Sequence, residues 1–274
     1  MGPLILDPLT PAFDVANVSY RYNQTRALDG LSIQVARGER VALLGANGSG
    51  KSTLLRLLGA LSFPSEGQIS FFGDPLTEES LQNETRFFDF RRRVGIIFQN
   101  PDIQLFNPSV FDEVAFGPLQ LQWPKAEIRS RVEHALNEMG IAHLRDRAPH
   151  RLSGGEKKRV ALASVLILDP EVLLLDEPSA ALDPGSQSQI VDLLSHWRNG
   201  AKTVITATHD LDTLEEIADR CYVFQAGRIA AEGTPLAILH DAALLERTGL
   251  LRVHPHSHKD EVRHPHPHLH RLAE

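Results

Sequence analysis

The chain has 274 residues, 42% hydrophobic and 23% charged, ordinary proportions for a globular protein with a sizeable core. Its 28 Lys and Arg against 35 Asp and Glu leave a net charge of -7, which speaks against a general nucleic-acid binder. Cys221 is the single cysteine, so no internal disulfide can form, and no apolar run reaches the ~18 residues that cross a bilayer. Residues 1–13 lack the charged-then-apolar plan of a secretory signal. The expectation is a protein of a reducing compartment that serves any membrane through partners that span it.

Residues 1–11 carry three prolines and read as a loose lead-in. Apolar and polar residues alternate over Phe13 to Val18 and Leu31 to Val35, the pattern of half-buried antiparallel strands. Arg40 to Leu44 is nearly all apolar and predicts a buried strand, followed by a helix from Lys51 to about Leu61. Strands are expected over Gln68 to Phe72 and Arg93 to Phe98. The stretch from Gln99 to Pro118 is rich in Asn, Asp, Pro and Gly and reads as mainly loop. Helices are expected over Ala126 to Met139 and from Ser153 to Asp169-Pro170. Two further buried strands, Glu171 to Leu175 and Thr203 to Thr208, enclose a helix over Ser186 to Arg198. Tyr222 to Phe224 and Arg228 to Ala231 flank the hairpin turn Ala226-Gly227, and Pro235 to Gly249 reads as one helix. Cys221 fits a small apolar side chain in its strand.

Three motifs carry chemistry. Gly45-Ala46-Asn47-Gly48-Ser49-Gly50-Lys51-Ser52, with Thr53 after it, is a phosphate-loop pattern between a strand and a helix. Its backbone N–H groups and helix dipole suit phosphate oxygens, Lys51 adds a point charge, and Ser52 is placed for Mg²⁺. Val172-Leu173-Leu174-Leu175-Asp176-Glu177 buries a strand and releases two carboxylates at its C-terminal edge, where open α/β sheets bind ligands. Asp176 is the expected magnesium residue and Glu177 the expected base for the attacking water. Leu152-Ser153-Gly154-Gly155-Glu156 contains a capping box, Ser153 with Glu156, which leaves the two glycines unexplained; bare glycines at a helix N-terminus admit an anion.

That last segment resembles the ABC signature. With the phosphate loop and the Asp-Glu strand in this order, the chain resembles an ATP-binding cassette from about Phe13 to Gly249. The resemblance implies an α/β fold: a P-loop NTPase core with a mixed sheet, an N-terminal antiparallel β subdomain and a helical insertion over about 100–165, the whole cassette spanning 12–250. It implies a head-to-tail dimer, homodimeric or heterodimeric, in which Ser153, Gly154, Gly155 and Glu156 of one chain face ATP on the other. It further implies that Tyr22 stacks on adenine (Tyr20 competes), that Gln99 senses Mg²⁺ and water, that Asp183 belongs to the loop crossing the dimer, and that His209 contacts the γ-phosphate and supports Glu177. Glu156 stands where Gln is commoner, read as a subfamily trait.

Val94 to Phe106 and Val114 to Pro118 narrow the resemblance to ATPases of energy-coupling-factor transporters, importers of vitamins, nickel and cobalt. This implies a transmembrane coupling protein, a substrate-binding membrane subunit, and a place on the cytoplasmic face of the membrane. Asp102, Gln104, Leu105 and Phe106 are the candidates for a groove that receives the coupling helix. Residues 251–274 change character: seven of the 13 histidines, His254, His256, His258, His264, His266, His268 and His270, alternate largely with prolines. Neutral imidazoles suit Ni²⁺ and Co²⁺, so loose, multivalent metal binding by a disordered tail is expected, and with it a metal importer; a vitamin importer is the alternative. Soluble cassette ATPases of DNA repair or translation carry a long coiled-coil insertion or two cassettes, and neither is present. Intact Lys51, Asp176, Glu177 and His209 speak against a regulator without turnover.

Overall fold

The computed structural model describes residues 10–251, apart from 181, 198, 199 and 201. The chain begins with a hairpin, β1 (Phe13–Tyr22) and β2 (Thr25–Val35), longer than the alternating runs alone suggest. It then enters a buried strand, β3 (Arg40–Leu44), and the helix α1 (Lys51–Leu58). β4 (Glu66–Phe71) and β5 (Asp74–Pro75) return to the hairpin and complete a four-stranded antiparallel sheet of order β2-β1-β4-β5. Next come α2 (Glu84–Arg93) and β6 (Val94–Ile97).

A helical segment follows: α3 (Val110–Gln120), α4 (Lys125–Glu138) and α5 (Gly154–Leu166). The second half runs through β7 (Val172–Asp176), α6 (Pro184–His196), β8 (Thr203–Thr208), α7 (Leu214–Ile217) and the hairpin β9 (Arg220–Gln225) and β10 (Arg228–Gly233). It closes on α8 (Pro235–Leu239) and α9 (Ala242–Arg247). β3 and β6 to β9 run parallel, β10 antiparallel, in a six-stranded mixed sheet of order β10-β9-β3-β8-β7-β6.

The near-continuous apolar runs have a physical cause: both faces of this sheet are covered. Successive side chains of β3 point to opposite faces. Val41 and Leu43 join one core with β1, β2, β4 and α1, while Ala42 and Leu44 join another with α6 and the C-terminal helices. A third core, among them Val110, Val114, Val132, Leu136 and Val160, lies within the helical segment. Cys221 is fully buried in β9, and burial pushes its thiol up to about 12, so it packs as a small apolar group.

Three expectations are corrected. The stretch before Pro118 is not mainly loop, because α3 begins inside it. Ser109 caps that helix by accepting from the Asp112 N–H, two acidic residues occupy its first turn, and Val110, Val114, Ala115 and Pro118 form a buried face. The C-terminal helix is two helices: Asp241 accepts from the Leu244 N–H and starts α9 afresh. The helices α2 and α7 have no counterpart in the sequence reading. Phe90 is the only buried residue of α2 and α7 is a single turn, so neither leaves a legible apolar period.

Candidate nucleotide site

The C-terminal ends of β3, β7 and β8 converge on one edge of the mixed sheet. After β3 the chain turns through residues 45–50 into α1. Gly45 has φ 151 and Gly50 φ 114, and a Cβ at Gly45 would stand 2.6 Å from Ser49 Oγ, at Gly50 2.8 Å from the Ala27 carbonyl oxygen. The tight turn therefore requires glycine at both positions. Asn47 and Gly48 form the exposed crest; Thr53 lies on the buried side of α1. Lys51 is 5% exposed and its Nζ donates to the Gly45 carbonyl at 2.6 Å and to that of Ala46 at 3.2 Å. Burial lowers its pKa, opposed by Glu177 and Asp176. Ser49 Oγ is buried in this turn without a hydrogen-bond partner among the described residues. A turn with an unanswered hydroxyl, a lysine and a helix N-terminus fits a phosphate chain.

Facing it, Ser52 Oγ donates to Asp176 Oδ1 at 3.0 Å. Desolvation raises the Asp176 pKa, and the Ser52 hydrogen bond opposes that. Ser52, Gln99 and Asp176 line one cavity of about 230 Å³. A hydroxyl, a carboxylate and an amide are hard oxygen donors, a set that fits Mg²⁺. Glu177, the next residue, is 4% exposed. Its carboxylate meets His209 Nδ1 at 2.8 Å and accepts from Thr208 Oγ1 at 3.3 Å, leaving the His209 Nε2 for an external partner. Glu177 has φ 46, a left-handed conformation rare for a residue with a Cβ, and its N–H donates to the Ala207 carbonyl at 2.9 Å.

The signature residues stand at the start of α5, apart from this cluster in their contacts. Ser153 and Glu156 form the capping box: the Ser153 N–H donates to Glu156 Oε2 at 2.7 Å, and Ser153 Oγ accepts from the Glu156 N–H at 3.4 Å. The hydrogen bonds from Ser153 hold the Glu156 carboxyl below its usual range. Gly155 abuts the first turn of α6, with its Cβ position 3.2 Å from Ser186 Oγ. Asp183 caps α6 through the Ser186 N–H and hydroxyl at 3.0 and 2.7 Å, which lowers its pKa. At Gly154 a Cβ would meet no atom within 4 Å, so no packing inside the chain demands glycine there.

Tyr22 is 42% exposed at the end of β1, while Tyr20 packs on the core and touches the Tyr22 ring edge-on, centroids 4.9 Å apart. Of the four groove candidates, Phe106 and Asp102 are exposed; Phe106 is 67% exposed and edge-on to Phe116. Gln104 turns inward, accepting from the Phe98 N–H and donating to the Ala161 carbonyl, both at 3.4 Å. Leu105 packs on the helical core, and Asp102 pairs with Lys157 at 2.7 Å. Ile103, which the sequence reading passed over, is 62% exposed at the rim of the cavity that Ser52, Gln99 and Asp176 line. Glu113 was also missed: it is 3% exposed and holds the Phe106 segment by accepting from the N–H groups of Phe106 and Asn107 at 2.9 and 2.7 Å.

Lys158, buried between the signature helix and Glu177, was missed as well, and burial pushes its pKa down to about 8. The signal was present, because Lys158 lies three and four residues before Ala161 and Leu162 and so shares the buried face of α5. The histidines from His254 to His270 lie outside the described residues.

Comparison with known proteins agrees with this geometry. Residues 28–180 match the family model described as ABC transporter. The nickel import ATP-binding protein NikO of Rhodobacter capsulatus is 57% identical over 246 residues, covering 89% of this chain and 97% of that protein. The energy-coupling factor transporter ATP-binding protein EcfA of Carboxydothermus hydrogenoformans is 44% identical over 240 residues, 87% of this chain and 86% of its own length. Among solved structures, cbiO1 from Clostridium perfringens, part of the ABC transporter complex cbiONQ, superposes with a TM-score of 0.73 at 39% identity over 88% of this chain and 95% of that one. The chain belongs to the ABC transporter family and is of its ATP-binding, ATP-hydrolysing kind.

Proposed function

We propose that the chain powers an importer of nickel or cobalt ions, as one of two ATPase subunits that close over two ATP molecules. The observation that carries the metal reading is the 57% identity to a nickel import protein over nearly its whole length, above the 44% to an energy-coupling factor ATPase. A vitamin importer is the second reading, favoured by that latter relative. The seven histidines between 254 and 270 support the metal.

In this reading the cassette spans 12–250, its helical insertion runs from about 100 to 165, and 251–274 is a metal-binding tail. Residues 45–53 cradle the phosphates, and Lys51 leaves the carbonyls of Gly45 and Ala46 for phosphate oxygens. Ser52, Asp176 and Gln99 would hold Mg²⁺, which when bound neutralises charge on the phosphate oxygens. Glu177 orients the attacking water and takes its proton at the carboxylate, while His209 steadies that carboxylate through Nδ1 and reaches the γ-phosphate through Nε2. Tyr22, the more exposed of the two tyrosines, stacks on adenine. Ser153, Gly154, Gly155 and Glu156 complete the partner chain's site, and Asp183 lines the crossing between the two. Catalysis is chiefly positioning and charge stabilisation.

Among the described residues no helix is long and apolar enough to cross a membrane. The exposed Phe106 and Ile103 support docking by a membrane-spanning coupling protein, with a substrate-binding membrane subunit beside it and this chain on the cytoplasmic face. Uptake of labelled Ni²⁺ and Co²⁺ by membranes holding the chain with its native partners tests the reading. Uptake that is lost in Lys51→Ala establishes a metal importer, and a change on removal of residues 254–274 assigns the tail. ATP hydrolysis without uptake of either metal moves the assignment to a vitamin.

A further inference from the structure

One buried charge has no role in the mechanism above. Lys158 is 1% exposed, and its Nζ donates to the carbonyls of Phe98 and Gln99 at 3.1 Å each and of Glu177 at 3.3 Å. An ammonium has three donors, and here each is used on a backbone carbonyl. Burying such a group costs several kcal/mol, so packing alone favours leucine or methionine at this position. What lysine adds is a tie between three places: the signature helix α5, the exit of β6 ahead of Gln99, and Glu177 beyond β7.

The tie falls at a strained point of the backbone. The left-handed conformation of Glu177 is strained for a residue with a Cβ and persists only when its surroundings determine it. Its N–H is fixed by Ala207 of β8, and its carbonyl by Lys158. With both ends of the residue held, the side chain reaches His209 at 2.8 Å. The same helix also grips the segment beyond β6 through Lys157 to Asp102 at 2.7 Å and through the Ala161 carbonyl, which accepts from Gln104 at 3.4 Å. The segment carrying Gln99 and leading to the exposed Phe106 is thus bound to α5 by three side chains.

We infer that Lys158 is a positioning residue that sets the conformation of Glu177 and the exit of β6 from the placement of the signature helix. It touches neither ATP nor the attacking water and acts through the Glu177 backbone. A shift of α5 against β7 is then felt at the base, so nucleotide can bind without being cleaved until α5 is seated. The inference rests on the proposed role of Glu177.

The test compares full-length wild-type, Lys158→Met, Lys158→Gln, Lys158→Arg and Glu177→Gln chains, each copurified with its native membrane partners. Steady-state ATP hydrolysis gives kcat and KM, and titration with ATP in EDTA gives Kd. A misplacement of the base by ~1 Å costs up to about 100-fold in rate. Lys158→Met is expected to lose about 10–100-fold in kcat with KM and Kd within about threefold of wild type, and Lys158→Arg, which keeps charge and donors, to recover most of it. Where Lys158→Met does not fold, Lys158→Gln carries the same split with a smaller loss. A kcat within about twofold of wild type in both neutral variants overturns the inference, as does a loss of ATP affinity equal to the loss of kcat that arginine does not restore. A dead Glu177→Gln beside an unaffected Lys158→Met overturns this inference alone. Glu177→Gln at the wild-type rate removes the base assignment and this inference with it.

Discussion

The strand ends of the mixed sheet and the start of α5 handle their polar groups in opposite ways. At the strand ends the groups answer one another: Lys51 on loop carbonyls, Ser52 on Asp176, Glu177 on His209 and Thr208. Ser49 Oγ stands out there as a buried atom without a partner among the described residues. At the start of α5, Ser153 and Glu156 close on each other and Gly154 presents bare backbone to open space. The first region is a site whose chemistry is visible inside one chain. The second is, in the proposed reading, half of a contact that a second cassette finishes.

The strongest way to break this comparison is at Glu177, the proposed base. Glu177→Gln keeps the shape of the side chain and removes the proton acceptor, so hydrolysis should fall by about 10²–10⁴-fold while ATP binding is kept. Size-exclusion chromatography with ATP should show a persistent dimer for the variant. Brisk turnover would take the base away from Glu177; loss of ATP binding would make it a structural residue of the phosphate loop.

Next in size is Gly154→Val. The side chain has room within the chain, so thermal stability should shift little beyond the cost of a β-branched residue in a first turn. The dimeric, ATP-closed form should instead be blocked, with kcat lowered by about 10–100-fold and ATP affinity of the isolated chain within about twofold, on the scale of a disrupted alignment of reacting groups. Unchanged turnover would mean that nothing approaches this helix end, and the two regions would not be halves of one site.

Much of the strand-end region was legible because it is physically over-determined. β3, β7 and β8 bury both faces and so read as largely apolar runs, and each leads into polar side chains. Lys51 beyond β3 and Glu177 beyond β7 are buried, which is costly unless function holds them; Asp176 is half-buried, and His209, one residue past β8, is exposed. The helical segment was read less well for equally physical reasons. In α3 the turn-formers Gly117 and Pro118 lie inside a helix, hiding the spacing of Val110, Val114 and Pro118; Gly117 packs on Leu168, whose Cδ1 would stand 3.1 Å from a Cβ there. Lys158 sits among Lys157 and Arg159, and a basic run reads as solvated face until the period of α5 is followed through it. Gln104 and Leu105 could not be told from Phe106 by type, since only the tertiary fold decides which side of that segment faces in.

The two tyrosines of β1 sharpen the comparison at smaller scale. Aromatic stacking on a base is worth about 1–3 kcal/mol, so Tyr22→Ala should raise the KM for ATP by about 5–100-fold. Tyr20 packs on the core shared with β2 and α1, so Tyr20→Ala should lower thermal stability and leave KM nearly unchanged. The reverse pattern, KM moved by Tyr20 and stability by Tyr22, would reassign the stacking residue. Equal effects would mean that the edge-on pair acts as one unit.

The smallest effect separates the local task of the signature from its external one. A capping residue contributes about 1 kcal/mol, and Glu156 supplies half of the capping box through the Ser153 N–H and hydroxyl. Those hydrogen bonds hold its folded pKa below the usual glutamate value, so its charge stabilises the fold at neutral pH and that contribution is lost as pH falls through the lowered folded value. Glutamine at the same position keeps an acceptor and loses the charge. Urea midpoints should therefore place Glu156→Gln slightly below wild type at pH 7, by under about 1 kcal/mol, with the gap narrowing as pH falls through the lowered folded value. Hydrolysis should stay within about threefold of wild type, because the acceptor for the Ser153 N–H remains. A large loss of activity with an unchanged urea midpoint would show Glu156 working on the partner's nucleotide, and the capping box would then be secondary to that contact.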